Sequence, residues 1–177
     1  IDTPGVNSSV NRNHGRIARK ALLKETYDKV IYVFSAGKLG TDEEISHLKW
    51  MAGNIPKDKV VFVLNKLDCF RSVEDNITAS MNGVHNDLTA LGYESPIIYP
   101  LSAYFSLLIK MKHNGDHLTD DELDEYNLFI KKFDRPAYNL AKYYEKVYIT
   151  SNDNEGLRLS KKSGLYGLEK ALFGGCL

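Results

Sequence analysis

Three short apolar runs along the chain predict the strands of a sheet. They cover residues 30–34, 60–64 and 97–101, and each is rich in β-branched and aromatic side chains. Because polar residues do not alternate within them, we expect strands that are buried on both faces, as in a parallel sheet covered by helices. Helical patterns separate the runs, and this order of strands and helices predicts a doubly wound α/β sheet.

Helix-capping patterns lie between the runs. Residues 41–44 read Thr-Asp-Glu-Glu, which predicts a capping box at the start of a helix. Residues 72–75 predict a second helix start, and Gly92 favours a left-handed residue at the end of that helix.

The second half of the chain is predicted to be helical. Residues 104–160 contain no convincing strand pattern, and residues 119–122 predict a third capping box before apolar side chains at helical spacing. A further helix is predicted over residues 136–147, a loop over 151–156 and a closing helix over 165–173.

Composition adds few constraints to this picture. A chain of 177 residues can bury one sizeable core, and its 23 basic and 23 acidic side chains balance, so nucleic acid is not favoured as a partner. No apolar run reaches the roughly 18 residues of a membrane-spanning helix. The chain does not begin with a basic and apolar leader. We therefore expect a cytoplasmic protein, or a fragment from inside one.

The most specific chemistry follows the second apolar run, in the sequence Asn65-Lys66-Leu67-Asp68. Guanine presents its ring N–H and its exocyclic amine side by side, and one carboxylate can accept from both, so Asp68 is suited to recognise it. Asn65 is predicted to tie neighbouring loops together and face the base, and the stem of Lys66 to lie along the apolar face of the base. The alternative interpretation is a polar turn after a strand.

Two further motifs occur at strand ends in the order of a guanine-nucleotide site. In Asp2-Thr3-Pro4-Gly5, the Asp2 carboxylate suits a magnesium ion held through water, and the Gly5 N–H can approach a terminal phosphate. Ser102-Ala103 follows the third run and could offer a backbone N–H to the guanine carbonyl oxygen. In isolation either motif is also compatible with an ordinary turn.

Together these stretches carry a resemblance to a known family. Residues 1–103 resemble a GTPase of the translation-factor-related class, and most of all the bacterial dynamin-like proteins. The resemblance rests on residues 2–5, 27–33, 39–44 and 65–68, and residues 163–169 resemble the last helix of that G domain. It implies a P-loop GTPase domain in which residues 1–103 form the sheet core and residues 161–177 the closing helix. Residues 104–160 match no part of the family pattern, and we interpret them as a helical insertion.

The resemblance also implies an activity and partners. These are hydrolysis of GTP to GDP and phosphate with Mg²⁺, homodimer formation through the G domain, peripheral membrane contact and membrane remodelling. The sequence departs from the family in one respect, since it contains no Gly-x-x-x-x-Gly-Lys-Ser/Thr phosphate loop. We therefore expect an incomplete GTPase domain that binds GTP very weakly alone, and its catalytic residues stay unassigned.

Residues 156–163 match the phosphate-loop pattern except that Lys161 replaces the second glycine. A side chain there would crowd a phosphate, so we interpret the segment as a basic surface turn before the final helix rather than as the loop of a permuted GTPase. Two alternative functions remain open. One is a translation-factor-related GTPase that acts on the ribosome or RNA, and the other is a nucleotide-independent helical interaction module.

Overall fold

The computed structural model of the protein describes residues 2–3, 14–24, 26–71 and 74–174. Its centre is a three-stranded parallel sheet in the order β1-β2-β3, formed by β1 (Val30–Ser35), β2 (Val60–Asn65) and β3 (Ile98–Pro100). All three predicted strands are confirmed, with ends that differ from the predicted ones by at most one residue.

Seven α-helices occur within the described residues, so the architecture is mixed α/β. They are α1 (His14–Lys24), α2 (Asp42–Asn54), α3 (Ile77–Ala90), α4 (Ala103–Asn114), α5 (Asp120–Phe133), α6 (Glu155–Lys162) and α7 (Leu165–Phe173). Short 3₁₀ turns lie at Lys57–Lys59, Leu67–Cys69 and Leu140–Tyr143. No helix in the described ranges is long and apolar enough to cross a membrane.

The main core joins one face of the sheet to the helices of both halves of the chain. Tyr32, Phe62 and Leu64 of the sheet belong to the same buried cluster as Phe105 of α4 and Phe133 of α5. The helical region therefore shares its core with the sheet and does not form a separate hydrophobic unit. The predicted boundaries of the insertion, residues 104–160, stay a prediction.

The other face of the sheet is only partly covered. Val63 is buried there against Tyr144 and Leu168, which belong to a second, smaller cluster. On β1, however, Ile31 is 49% exposed and Val33 is 54% exposed. The expectation of burial on both faces is therefore wrong for β1, because the described helices cover this face only beside β2 and β3.

Two of the predicted capping boxes lie at helix starts. At α5 the box is complete, since Glu122 N donates to Thr119 Oγ1 at 3.3 Å and Thr119 N donates to Glu122 Oε2 at 2.8 Å. At α2 the Glu44 N–H donates to Thr41 Oγ1, but the Glu44 carboxylate accepts from Gly40 N at 2.9 Å. At α2 the Glu44 carboxylate therefore binds the N–H of Gly40, one residue before the N-cap, and not that of Thr41.

Helix α3 does not begin at residues 72–75 as predicted. It begins at Ile77, where the Asn76 side chain accepts from Ala79 N at 3.0 Å. The Asp75 carboxylate accepts from Arg71 N at 2.6 Å and so closes a turn before the helix. Ser72 and Val73 lie outside the described residues.

The helix predicted over residues 136–147 is wrong. Only the 3₁₀ turn Leu140–Tyr143 forms there, and the Asn139 side chain accepts from Ala141 N at its start. The chain then becomes extended at Tyr144, which together with Val147 is buried in the second cluster. Packing against the sheet outweighs the helical spacing of the apolar residues in this segment.

The segment 156–163 is neither a phosphate loop nor a surface turn. Residues 156–162 lie in α6 and Ser163 is its C-cap. The helix begins earlier than expected because the Asn154 side chain accepts from Leu157 N at 2.8 Å. Lys161 and Lys162 are 7% and 8% exposed, so the prediction of a solvated basic turn is wrong.

Candidate functional site

The first loop of the candidate site begins where β2 ends. Asn65 is the last residue of β2, and its carbonyl oxygen accepts from Ala36 N at 3.0 Å. Lys66 then adopts the left-handed conformation at φ 68°, which costs a non-glycine residue about 1–2 kcal/mol. Leu67 is fully buried and anchors the 3₁₀ turn that follows. This turn carries Asp68 to the carboxyl edge of the sheet.

The second loop follows β3 at the same edge. Leu101 N donates to Leu64 O at 2.8 Å, which holds the chain beside β2 just beyond the strand. Ser102 is the N-cap of α4, and its hydroxyl accepts from Phe105 N at 3.4 Å. Because β2 and β3 are parallel neighbours, both loops emerge at one edge of the sheet, where ligands of open α/β sheets bind.

Two direct hydrogen bonds join these loops. Ala103 N donates to Asn65 Oδ1 at 2.9 Å, and Ser102 Oγ donates to Asp68 Oδ1 at 2.6 Å. Asn65 therefore ties neighbouring loops together, as the sequence predicted. The Ala103 N–H, which was predicted to face a guanine carbonyl oxygen, is engaged by Asn65 in this structure.

The Asp68 carboxylate keeps acceptor capacity. Ser102 occupies one position on Oδ1, and Cys69 Sγ lies 3.4 Å from Oδ2. Since a carboxylate offers about four acceptor positions, both oxygens can accept further hydrogen bonds. Asp68 is only partly buried and Lys66 is exposed, so donors from a ligand can reach this side of the loop.

A further side chain reaches the same loop from α5. Lys132 Nζ donates to Asp68 O at 2.6 Å and also to Phe70 O. Burial lowers the pKa of the Lys132 ammonium, and the nearby Asp68 carboxylate opposes this shift. Sequence reasoning missed Lys132, because a single lysine at the end of a helix belongs to no motif. We call Asn65, Asp68, Ser102, Ala103 and Lys132 the base-edge cluster.

The residues predicted for the phosphate side are not part of this cluster. Asp2 is exposed, and Gly5 lies outside the described residues. An exposed single carboxylate fits a magnesium ion that is held mainly by water and by phosphate oxygens. Among the described residues there is no group of three or more histidine, cysteine or acidic side chains that could hold a metal ion. The roles of Asp2 and Gly5 stay predictions.

Comparison with known proteins gives a weak relationship to a GTPase. No protein-family model matches the chain, and no solved structure gives a significant match. A probable transmembrane GTPase, FZO-like and chloroplastic, from Arabidopsis thaliana is 31% identical over 111 residues, which are 63% of this chain and 12% of that protein.

A second relative matches more of the chain but has no described activity. It is an uncharacterized protein in the xynA 3′ region of Caldicellulosiruptor sp. (strain Rt8B.4), 29% identical over 153 residues. The match covers 86% of this chain and 35% of that protein. The chain therefore spans only a minor part of either relative, and the comparisons support a GTPase-related function without defining it further.

Proposed function

We propose that the chain is part of a dynamin-like GTPase and that the base-edge cluster forms the guanine side of its nucleotide pocket. One observation carries this proposal. The bonds from Ala103 N to Asn65 Oδ1 and from Ser102 Oγ to Asp68 Oδ1 hold two strand-end loops together at the carboxyl edge of a parallel sheet. The sequence relationship to a probable GTPase supports the same conclusion.

In this proposal four side chains of the two loops have distinct tasks. Asp68 accepts from the ring N–H and the exocyclic amine of guanine, and Ser102 orients the carboxylate through Oδ1. Asn65 holds the second loop in place and faces the base, while the exposed stem of Lys66 covers one face of it. Adenine lacks the paired donors, so it would leave the carboxylate unsatisfied at a cost of about 1–3 kcal/mol.

The phosphate side of the proposed pocket uses other residues. Asp2 would hold Mg²⁺ through water, and the Gly5 N–H would face the terminal phosphate of GTP. The magnesium ion would supply charge neutralisation on the phosphates. Since the sequence contains no phosphate loop, we propose that GTP hydrolysis requires a longer polypeptide that supplies one. Self-association through the G domain and membrane remodelling at the cytoplasmic face belong to the same proposal by resemblance.

The proposal is tested with two polypeptides, the 177-residue chain and an extended polypeptide in which a phosphate loop is placed before residue 1. A fluorescent GTP analogue is titrated into each. We expect very weak binding and no turnover by the chain alone, because most of the phosphate-binding energy would come from the loop. We expect much tighter binding by the extended polypeptide. Tight binding by the chain alone would overturn the assignment of the phosphate side.

The base assignment is tested with Asp68→Asn in the extended polypeptide. An amide can donate to the 2-oxo group of xanthine but cannot accept from both guanine donors, so affinity should shift from GTP towards XTP by about tenfold or more. Asp58→Asn is the matched control, because Asp58 is exposed and lies just before β2, at the opposite end of that strand. If Asp68→Asn leaves the preference for GTP over XTP unchanged, the role assigned to Asp68 is wrong.

A further inference from the structure

One side chain of the helical region holds the main chain of the proposed base-recognition loop. Lys132 lies in the last turn of α5, and its Nζ donates to the carbonyl oxygens of Asp68, at 2.6 Å, and Phe70. These carbonyls lie on either side of Cys69, in the turn that presents the Asp68 carboxylate. A single ammonium group therefore connects two points of the turn to a helix that is more than sixty residues away in sequence.

The position of this ammonium group is fixed by packing. Phe129 and Phe133 of α5 are buried in the main core, and Phe133 is fully buried. The Lys132 ammonium also lies 4.8 Å from the centre of the Tyr138 ring, within the range of a cation–π contact. Because the helix cannot shift without disturbing the core, Lys132 provides a fixed point for the loop.

Lys132 and Ser102 act on different parts of Asp68. Ser102 Oγ donates to the carboxylate and sets the direction of the side chain, whereas Lys132 donates to the carbonyl oxygen and sets the position of the backbone. Recognition of paired donors by a carboxylate depends on the direction of the side chain and on the position of the backbone. A misplacement of about 1 Å is enough to lose much of an oriented interaction.

We propose that Lys132 is a positioning residue for base recognition, which holds the backbone of Asp68 so that its carboxylate meets both guanine donors. This inference rests on the function proposed above. In this proposal Lys132 acts through the backbone of the loop. Its contribution would appear in the discrimination between bases, because the carboxylate is what it places.

The test compares Lys132→Met with Lys131→Met in the extended polypeptide. Lys131 is exposed on the same turn of α5, so its variant has the same change in charge and composition without loss of the loop contact. The affinities for GTP and for ITP, whose base lacks the exocyclic amine, are measured for each. We expect Lys132→Met to reduce the preference for GTP over ITP by about threefold to tenfold, and Lys131→Met to leave it unchanged.

Two further measurements separate positioning from general stability. Lys132→Arg keeps a cation with several donors and should recover most of the base preference, even if the helix end repacks. In the 177-residue chain, amide hydrogen exchange at residues 67–70 should rise in Lys132→Met more than in Lys131→Met. This second measurement needs no nucleotide.

The outcomes distinguish this inference from the function on which it rests. If the wild type prefers GTP over ITP and Asp68→Asn shifts the preference, but Lys132→Met leaves the GTP-to-ITP ratio unchanged, Lys132 has no positioning role. If the wild type itself shows no preference among GTP, ITP and XTP, the proposed function fails and the inference fails with it.

Discussion

Two polar clusters in the described part of the chain differ in how completely their hydrogen-bonding groups are used. In the base-edge cluster, Asp68 retains acceptor capacity and is accessible at the sheet edge. In the other polar cluster, Lys161 Nζ donates to Tyr148 O at 2.8 Å and to both carboxylate oxygens of Asp153 at 2.7 Å. We call Tyr148, Asp153 and Lys161 the α6 lysine cluster. An ammonium group has three N–H donors, so these contacts use its full capacity.

A chain of serines connects the base-edge cluster to the C-terminal end of α6, the helix that carries Lys161. Ser102 N donates to Ser163 O at 3.0 Å, and Ser106 Oγ lies 2.7 Å from Ser102 O and 2.9 Å from Ser163 Oγ. All three serines are buried. The end of α6 therefore supports the residue that orients the Asp68 carboxylate. The contrast suggests a division of tasks, in which the saturated cluster stabilises the fold and the unsaturated cluster is available to a ligand.

The variant with the largest expected effect on stability is Lys161→Met. It would remove the cation from a buried position and leave its partners unpaired, so we expect the free energy of unfolding to fall by about 3 kcal/mol. Urea unfolding of the 177-residue chain measures the loss. Lys110→Met is the control, because Lys110 pairs with Glu169 at 2.9 Å while its side chain is 58% exposed. That variant should lose less than about 1 kcal/mol. Equal losses would mean that burial does not distinguish the two pairs.

A smaller effect is expected for the serine chain between the base-edge cluster and the end of α6. Ser106→Ala would remove the hydroxyl that contacts both Ser102 and Ser163, at a cost of about 1–2 kcal/mol for the buried groups left without a partner. Ser46→Ala on the exposed side of α2 should change stability by less than about 0.5 kcal/mol. If the two variants are equally stable in urea, the serine chain does not contribute to the fold.

The sequence predicted the sheet edge well because its signals are local. Runs of β-branched residues indicate buried strands directly, and the polar residues after them must lie at one edge if the strands are parallel. This reasoning placed Asn65 and Asp68 correctly beside Ser102. It failed for Ile31 and Val33, since an apolar residue indicates that a strand can be covered but not that a helix is present to cover it.

The helical half was less predictable because its determinants are distant in sequence. Residues 136–147 have apolar spacing that suits a helix, but Tyr144 donates its hydroxyl to Pro100 O at 2.6 Å and packs on the sheet. Lys161 was expected at the surface because lysine is seldom buried without a partner. That partner is Asp153, in a segment that was predicted only as a loop. The contact of Lys132 with the Asp68 carbonyl has no sequence signal.

The smallest expected effect concerns the response of the α6 lysine cluster to acid. The hydrogen bonds from Lys161, followed by that from Thr150 N, hold the pKa of the Asp153 carboxyl below its usual value. A carboxyl whose pKa is lower in the folded state binds its proton more readily when unfolded. Its contribution to stability is therefore present above about pH 4 and is lost as the pH falls through the lower pKa of the folded state.

Asp153→Asn should remove this part of the acid response. Between pH 5 and pH 3, the urea midpoint of the wild type should fall by more than that of the variant, because only the wild type loses the ionised Asp153 partner of Lys161. Asp58→Asn changes an exposed carboxylate, so its urea midpoint should fall with pH as steeply as that of the wild type. If the Asp153→Asn and wild-type slopes coincide, Lys161 is held mainly by the Tyr148 carbonyl and by packing, and the contrast with the base-edge cluster would rest on burial rather than on charge.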